Sequence, residues 1–259
     1  MKKSLMLCGL LLALTASIAS AAAGTNLRWS NCFGDAGTQN KTFACASNLA
    51  GQTLVGSFEL GADLIDVSGV ELVIDVATAS AVLPPWWQFK NAGACRASSL
   101  TLNGTISPLA VNCVDWAAGA AAGGLAAYSV GTTAIPGLNT ARIIGGLAVA
   151  ASALAPLVAA QEYFAFNATI NNLKTVGTGA CAGCSVPACI VFNSCKCATP
   201  PVAGQPSRDV TVSGATNGTD SNFATWQGGA GANSSRGNGC PAATPTRSAT
   251  WGSVKSLYR

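Results

Sequence analysis

Hydrophobic and polar side chains alternate along three segments of this chain, as they do in half-buried β-strands. The pattern has a period of two residues over 53–60 and over 70–76, and it is clearest over 163–171. Because successive side chains of a strand point to opposite faces of a sheet, these segments predict three strands. Weaker strands are predicted over 98–103, 142–149, 189–193 and 209–213.

Seven or eight short strands separated by glycine, proline and asparagine turns are typical of two antiparallel sheets packed face to face. We therefore predict an all-β fold, an antiparallel two-sheet β-sandwich stapled by disulfides, over residues 24–213. The alanine-rich segment 115–128 is interpreted as an ordered loop, because each of its glycines costs a helix about 1 kcal/mol relative to alanine.

Residues 214–259 are predicted to pack on this sandwich as a separate segment. The part from 214 to 239 is rich in glycine, asparagine and serine, and we predict a loop-rich excursion that Cys240 ties back. Helical periodicity follows over 249–258, where Trp251, Val254 and Leu257 share one face behind Ser248 as a possible N-cap. This predicts a short C-terminal helix.

The first 23 residues have the form of a signal peptide. Lys2 and Lys3 precede an apolar run over 5–14, and small residues follow over 19–23. Cleavage after Ala21 or Ala23 gives an exported protein, secreted or at the cell surface, and removes Cys8 with the leader. The alternative is an uncleaved anchor, which the serines and the threonine of this segment disfavour. No other membrane span is predicted.

Ten cysteines remain after cleavage, and in an exported protein they indicate disulfides. The economical pairing is local, Cys32 with Cys45 and Cys95 with Cys113. The other six allow fifteen connectivities, among which the sequence does not choose. Pairing all six requires Cys240 to reach back to the dense group. These six are Cys181, Cys184, Cys189, Cys195, Cys197 and Cys240.

Metal-binding and redox sites are the alternatives to disulfides for the dense cysteine group. The Cys195-Lys-Cys197 spacing is one residue too short for a zinc ribbon, and an oxidising compartment disfavours metal thiolates. Cys181 and Cys184 precede a predicted strand instead of opening a helix, as a thioredoxin-like motif requires. We therefore predict no metal and no cofactor.

The chain contains no histidine, which removes many catalytic mechanisms. Triads that use histidine and zinc sites that use imidazole are excluded. There is no phosphate-binding P-loop and no Gly-x-Ser-x-Gly elbow. Carboxylates are the remaining catalysts, since glycoside hydrolysis needs two acids across a sugar. Glu71 and Asp75 share a strand face, but their backbones lie about 13 Å apart, beyond the range of roughly 5–9.5 Å for such pairs. The loop residues Asp63, Asp66 and Asp115 could converge as a catalytic or a calcium site, although solvated carboxylates and turn caps are the favoured interpretation.

Two adjacent tryptophans, Trp86 and Trp87, are the best indication of binding. They follow Pro84-Pro85, and in an extended segment they point in opposite directions. One exposed indole would stack on a sugar face, although core packing beside a disulfide is the favoured interpretation. Basic residues are scattered singly, with a formal net charge of +4 for the whole chain, so no nucleic-acid partner is predicted.

Several segments taken in order resemble a group of uncharacterised secreted, cysteine-rich bacterial proteins. The same strand order is loosely similar to cohesin and carbohydrate-binding β-sandwiches. The resemblance transfers no function by itself. We expect a non-catalytic extracellular or cell-surface module whose partner is a glycan or another surface protein, with a carbohydrate-binding or carboxylate-dependent carbohydrate-active protein as the alternative. The segments are 67–76, 83–89, 140–144, 162–170 and 251–259.

Overall fold

A computed structural model of the chain describes residues 22–133, 136–204, 206–229 and 240. The described residues form strands and two short 3-10 turns, Pro85–Trp87 and Ala151–Ala153. The strands are β1 (Gly24–Trp29), β2 (Asn40–Lys41), β3 (Gly51–Glu59), β4 (Leu64–Val67), β5 (Gly69–Thr78), β6 (Leu100–Asn103), β7 (Val114–Asp115), β8 (Ala122–Val130), β9 (Thr140–Ala148), β10 (Ala155–Leu157), β11 (Tyr163–Asn171), β12 (Ala188–Ala198), β13 (Val210–Ser213) and β14 (Phe223–Trp226).

The strands form two main sheets, as predicted. The first sheet has the order β1-β3-β11-β6, with β7 beside β11. The second has the order β2-β14-β12-β5-β9-β8, with β13 beside β12. Pairing is antiparallel except for the short contacts of β7 with β11 and of β2 with β14. Strands β4 and β10 form a small separate pair. The all-β sandwich is therefore confirmed.

Side chains from both sheets meet in one hydrophobic core. Phe166 of β11 and Phe192 of β12 join the sheets edge to face, with ring centroids 5.1 Å apart. The ring of Phe166 lies against the bare backbone of Gly56, where an added Cβ would come within 2.0 Å of it. The alternating apolar residues of the predicted strands thus face inward and hold the sheets together.

All seven predicted strands are present, and several elements escaped prediction. Strand β8 begins inside the segment that we interpreted as a loop, and that interpretation is wrong over 122–128. The glycines that disfavour a helix are tolerated here in an edge strand, which among the described strands pairs with β9 alone. Within the predicted excursion, Phe223–Trp226 forms β14, between β2 and β12. The C-terminal helix lies outside the described residues.

In the described part of the chain, four disulfides join eight of the ten cysteines, and the predicted local pairs are wrong. Each bond connects segments that are distant in sequence, because a sandwich places sequentially remote strands side by side. Cys240 does reach back to the dense group, where it bonds to Cys189. No other two of these six cysteines are bonded to each other in the described structure. The bonds are Cys32–Cys113, Cys45–Cys184, Cys95–Cys181 and Cys189–Cys240.

Cys195 and Cys197 are free thiols, contrary to their prediction as disulfide partners. They lie two residues apart on β12, so both side chains point into the core beside Leu72, and both are fully buried. Burial raises the pKa of the Cys195 thiol, and its neighbour Cys197 raises it further. The Cys195 thiol is therefore a neutral, unreactive core side chain, and the Cys197 sulfur beside it is equally enclosed.

This arrangement predicts the thiol count of protein that lacks residues 1–23. A maleimide should not modify the native protein, since the thiolate is the reactive form and neither sulfur reaches solvent. Unfolding in guanidinium without reductant should expose two thiols per chain, at positions 195 and 197, as measured by mass spectrometry of the labelled peptides. Unfolding with reductant provides the control and should label all ten. Finding no thiol after unfolding without reductant contradicts the free pair.

Among the described residues, no helix has the length and hydropathy needed to cross a membrane. The described chain instead consists of strands that bury apolar side chains on the inner faces of both sheets.

Candidate functional site

The outer face of the second sheet carries a patch of polar side chains around β5. Alternate residues of β5 face the core, so Glu71, Val73 and Asp75 face outward. The strand register places Glu71 between Gly146 and Lys196, and Val73 between Ile144 and Ser194. These rows run across three central strands and give the patch a rigid base.

A β-bulge in β12 brings Asn193 into this patch. Phe192 pairs with Ile74 and Ser194 pairs with the next residue, Val73, so Asn193 is the extra residue. Bulges turn a side chain away from its regular direction and are common beside functional sites. Asn193 is fully buried, and its Nδ2 donates a hydrogen bond to Oδ2 of Asp75. Its Oδ1 accepts no hydrogen bond from any described group.

Two ion pairs organise the charges of the patch. Nε and Nη2 of Arg142 each donate to one oxygen of Asp75 at 2.7 Å, a two-pronged pair beneath the surface. This hydrogen bonding raises the pKa of Arg142. Nζ of Lys196 lies 3.1 Å from Oδ2 of Asp209, which raises the pKa of Lys196. The amide of Thr199 and then Lys196 lower the pKa of Asp209.

These side chains line a cleft of about 250 Å³, which we call the polar cleft. Its rim carries the exposed residues Glu71 and Thr211, and the buried Asn193 and Ser194 lie deeper. It is smaller than the pockets of roughly 300–1,000 Å³ that hold drug-sized ligands. A ligand part the size of one six-membered ring fits a cleft of this volume. The polar cleft is lined by Glu71, Val73, Arg142, Asn193, Ser194, Lys196 and Thr211.

The charges around the polar cleft favour an uncharged ligand. Arg142 and Lys196 are already paired with Asp75 and Asp209, and Glu71 adds a third carboxylate at the rim. An anion would therefore find no unpaired cation in the lining. A hydroxyl group suits the polar cleft better, because it donates to the carboxylate of Glu71 and exchanges hydrogen bonds with the hydroxyl of Thr211, both of which are exposed.

Trp86 and Trp87, the ligand-binding candidates of the sequence analysis, are both fully buried. Trp86 stacks on Trp226 at 5.3 Å, its Nε1 donates to Oγ1 of Thr175, and the guanidinium of Arg96 covers its ring at 3.8 Å. Neither indole offers a face to a sugar, so the exposed-platform interpretation is wrong and the core interpretation holds. The tight packing follows from the 3-10 turn at Pro85–Trp87, which replaces the extended segment expected there.

Three loop carboxylates were predicted as candidate catalysts, and each of them has its own hydrogen-bond or ion-pair partner. Asp63 accepts a hydrogen bond from the amide of Ala159, Asp66 pairs with Arg208 at 3.8 Å, and Asp115 caps the turn that follows it. Nothing in the described residues joins these three. Glu71 and Asp75 do share the outer face of β5, and both belong to the polar cleft region.

Sequence reasoning missed two other buried carboxylates, Glu59 and Glu162, on the first sheet. Oε1 of Glu162 accepts the amide of Phe33 at 3.0 Å and Oε2 accepts that of Gly34 at 2.8 Å. Burial and the charge of Glu162 raise the pKa of Glu59. Glu162 also lies beside Cys32 and Cys113, a metal-like grouping, but these sulfurs form a disulfide. The role of Glu162 is to hold the loop after β1.

Asn193, Ser194 and Lys196 were also not predicted as site residues. A weak signal was present: the apolar run 189–192 ends at Asn193, where two polar residues stand together before Cys195. Such a break inside a buried strand marks a bulge. Arg142 was counted only as a scattered basic residue, because the cross-strand partner Asp75 lies 67 residues away.

No family model, curated protein or solved structure matches this chain. The geometry of the polar cleft is therefore the observation from which a function is inferred.

Proposed function

We propose that this chain is an exported, non-catalytic extracellular or cell-surface module whose polar cleft binds carbohydrate. The observation that carries the proposal is a cleft whose cations are already paired and whose exposed polar residues, Glu71 and Thr211, accept and donate hydrogen bonds. A hydroxyl group matches both residues, because it donates to the carboxylate and either donates to or accepts from the threonine hydroxyl. Carbohydrates combine these properties, because they are neutral and carry many hydroxyl groups.

The other lining groups suit a sugar ring as well. Glu71 accepts from hydroxyls, Ser194 and Thr211 donate and accept, and the half-buried Val73 offers an apolar contact to ring C–H groups. Ligand sites commonly combine a few fixed polar groups with apolar surface. The rigid central strands preorganise these groups, which lowers the entropic cost of binding.

Binding is favoured over hydrolysis by the state of Asp75. This carboxylate is held by Arg142 on both oxygens and by Asn193, so neither oxygen is available to attack a sugar or to activate water. A glycosidase needs two such groups on either side of the bond. Export is supported by the leader-like sequence at 1–23 and by four disulfides, since disulfides persist in oxidising compartments.

A glycan array followed by calorimetry on the best-bound glycan tests this function. The double variant Glu71→Gln with Thr211→Val removes two rim groups without changing the buried ion pairs. We expect it to weaken binding about tenfold or more, because hydrogen bonds to a charged group contribute roughly 1.5–3 kcal/mol.

The matched control is Asp66→Asn with Thr101→Val, which makes the same chemical changes at exposed positions outside the polar cleft. It should retain the affinity of the unmodified protein. The proposal is overturned if the array shows no bound glycan, or if the control loses as much affinity as the cleft variant.

A further inference from the structure

A second depression continues the polar cleft along β5. It has a volume of about 460 Å³, and we call it the apolar groove. Glu71 lines both depressions and stands where they meet. Six of the ten residues that line the apolar groove are glycine or alanine. The apolar groove is lined chiefly by Gly69, Glu71, Ala122, Gly146, Ala148 and Ala198.

Small side chains keep the sheet surface low in the apolar groove. Gly146 pairs with Glu71, and a Cβ added to it would meet only the carbonyl of Val70, at 4.0 Å. Space for a larger residue is thus present and unused. By contrast, Gly123 at the edge is required, since its φ is +145° and a Cβ would come within 2.2 Å of the carbonyl of Gly146.

The two depressions together form a track parallel to β5. Val73 lies at one end and Gly69 at the other, four residues away, which corresponds to about 13 Å along a strand. Glu71 lies midway along this length. It is exposed, so its carboxylate faces both depressions. A ligand that fills both must be elongated and must present polar groups at one end and a flatter, less polar surface at the other.

We infer that the ligand is a linear oligosaccharide lying along β5, with one ring in the polar cleft and the following rings over the apolar groove. This rests on the proposed function. The hydroxyls of the first ring meet Glu71 and Thr211 at the rim, whereas the C–H faces of later rings cover Gly146 and Ala148. Glu71 accepts hydrogen bonds from hydroxyls of the rings on both sides of it, which links the two depressions into one binding surface.

The test measures how affinity depends on chain length. Cello-, xylo-, manno- and chito-oligosaccharides of one to four rings are titrated and followed by amide chemical shifts. For the series that binds best, affinity should rise at least about tenfold from one ring to three, as buried area grows. The variant Ala148→Leu fills the apolar groove and should abolish that rise while leaving single-ring affinity unchanged. Thr101→Leu, on the exposed face of the first sheet, is the matched control and should keep the rise.

The outcomes separate this inference from the proposed function. If a single ring binds and loses affinity in the Glu71→Gln with Thr211→Val variant, but longer chains bind no better, the linear-chain inference is overturned and the proposed function stands. A rise that survives Ala148→Leu also overturns the inference. If no sugar of the four series binds, the linear-chain inference is overturned, and the proposed function falls with it only when the glycan array is empty as well.

Discussion

Trp86→Ala should lower the free energy of unfolding by about 3–5 kcal/mol, the range for truncating a buried tryptophan. The indole of Trp86 is fully buried and contacts three other aromatic rings, those of Trp87, Phe89 and Trp226. Alanine leaves a cavity among rings that the rigid sheets prevent from closing. It also removes the donor to Oγ1 of Thr175.

The loss of stability in Trp86→Ala also involves Arg96. This residue is 2 % exposed and stacks on the Trp86 ring. Its guanidinium donates to the backbone carbonyls of Trp86 and Asn171, and burial lowers its pKa to about 10. No described carboxylate pairs with it, so the aromatic face and the carbonyls stabilise the cation. Without the indole, this buried charge loses its closest neighbour.

Guanidinium unfolding followed by far-ultraviolet circular dichroism measures the effect of Trp86→Ala. Leu138→Ala is the control, because Leu138 is 71 % exposed and its carbonyl accepts from Leu83 in the segment that leads to Trp86. It should change stability by no more than about 0.5 kcal/mol. A Trp86→Ala protein as stable as this control contradicts the buried position of the indole.

Much of the fold was predictable from local patterns, and the reasons are physical. Strands β3, β5 and β11 each place one apolar face in the core, so their two-residue period is visible in the sequence. Strand β8 lies at an edge and is largely exposed, and its alanines and glycines produce no such period. Strand β1 is buried along its whole length, with buried polar residues such as Asn26, so its alternation is obscured.

The polar cleft and the disulfides were not predictable for a different reason. They depend on which strands become neighbours, and the sequence contains no local record of that order. Asp75 meets Arg142 because β5 pairs with β9, and Cys32 meets Cys113 because the two loops that carry them meet over the first sheet. For Trp86 and Trp87 the sequence suggested ligand binding, but both indoles are packed in the core.

The order of the strands also determines which disulfide contributes most to stability. Cys45 and Cys184 are 139 residues apart in sequence, the largest separation of the four bonds, whereas Cys189 and Cys240 are 51 apart. In the chain-entropy model a bond restrains the unfolded chain more as its loop lengthens, with about 5 kcal/mol for the first and about 4 kcal/mol for the second. Cys184 also lies next to the aromatic core, where its carbonyl accepts from Nε1 of Trp226.

Replacing Cys45 and Cys184 by alanine is therefore expected to lower the free energy of unfolding by about 4–5 kcal/mol, and to raise the denaturant m-value because the released chain exposes more surface when unfolded. The matched control is the double alanine variant of Cys195 and Cys197, which removes two buried sulfurs but opens no loop. It should cost only the lost packing, roughly 1–3 kcal/mol, with an unchanged m-value. Equal m-values for the two variants would show that the Cys45–Cys184 bond does not restrain the unfolded chain.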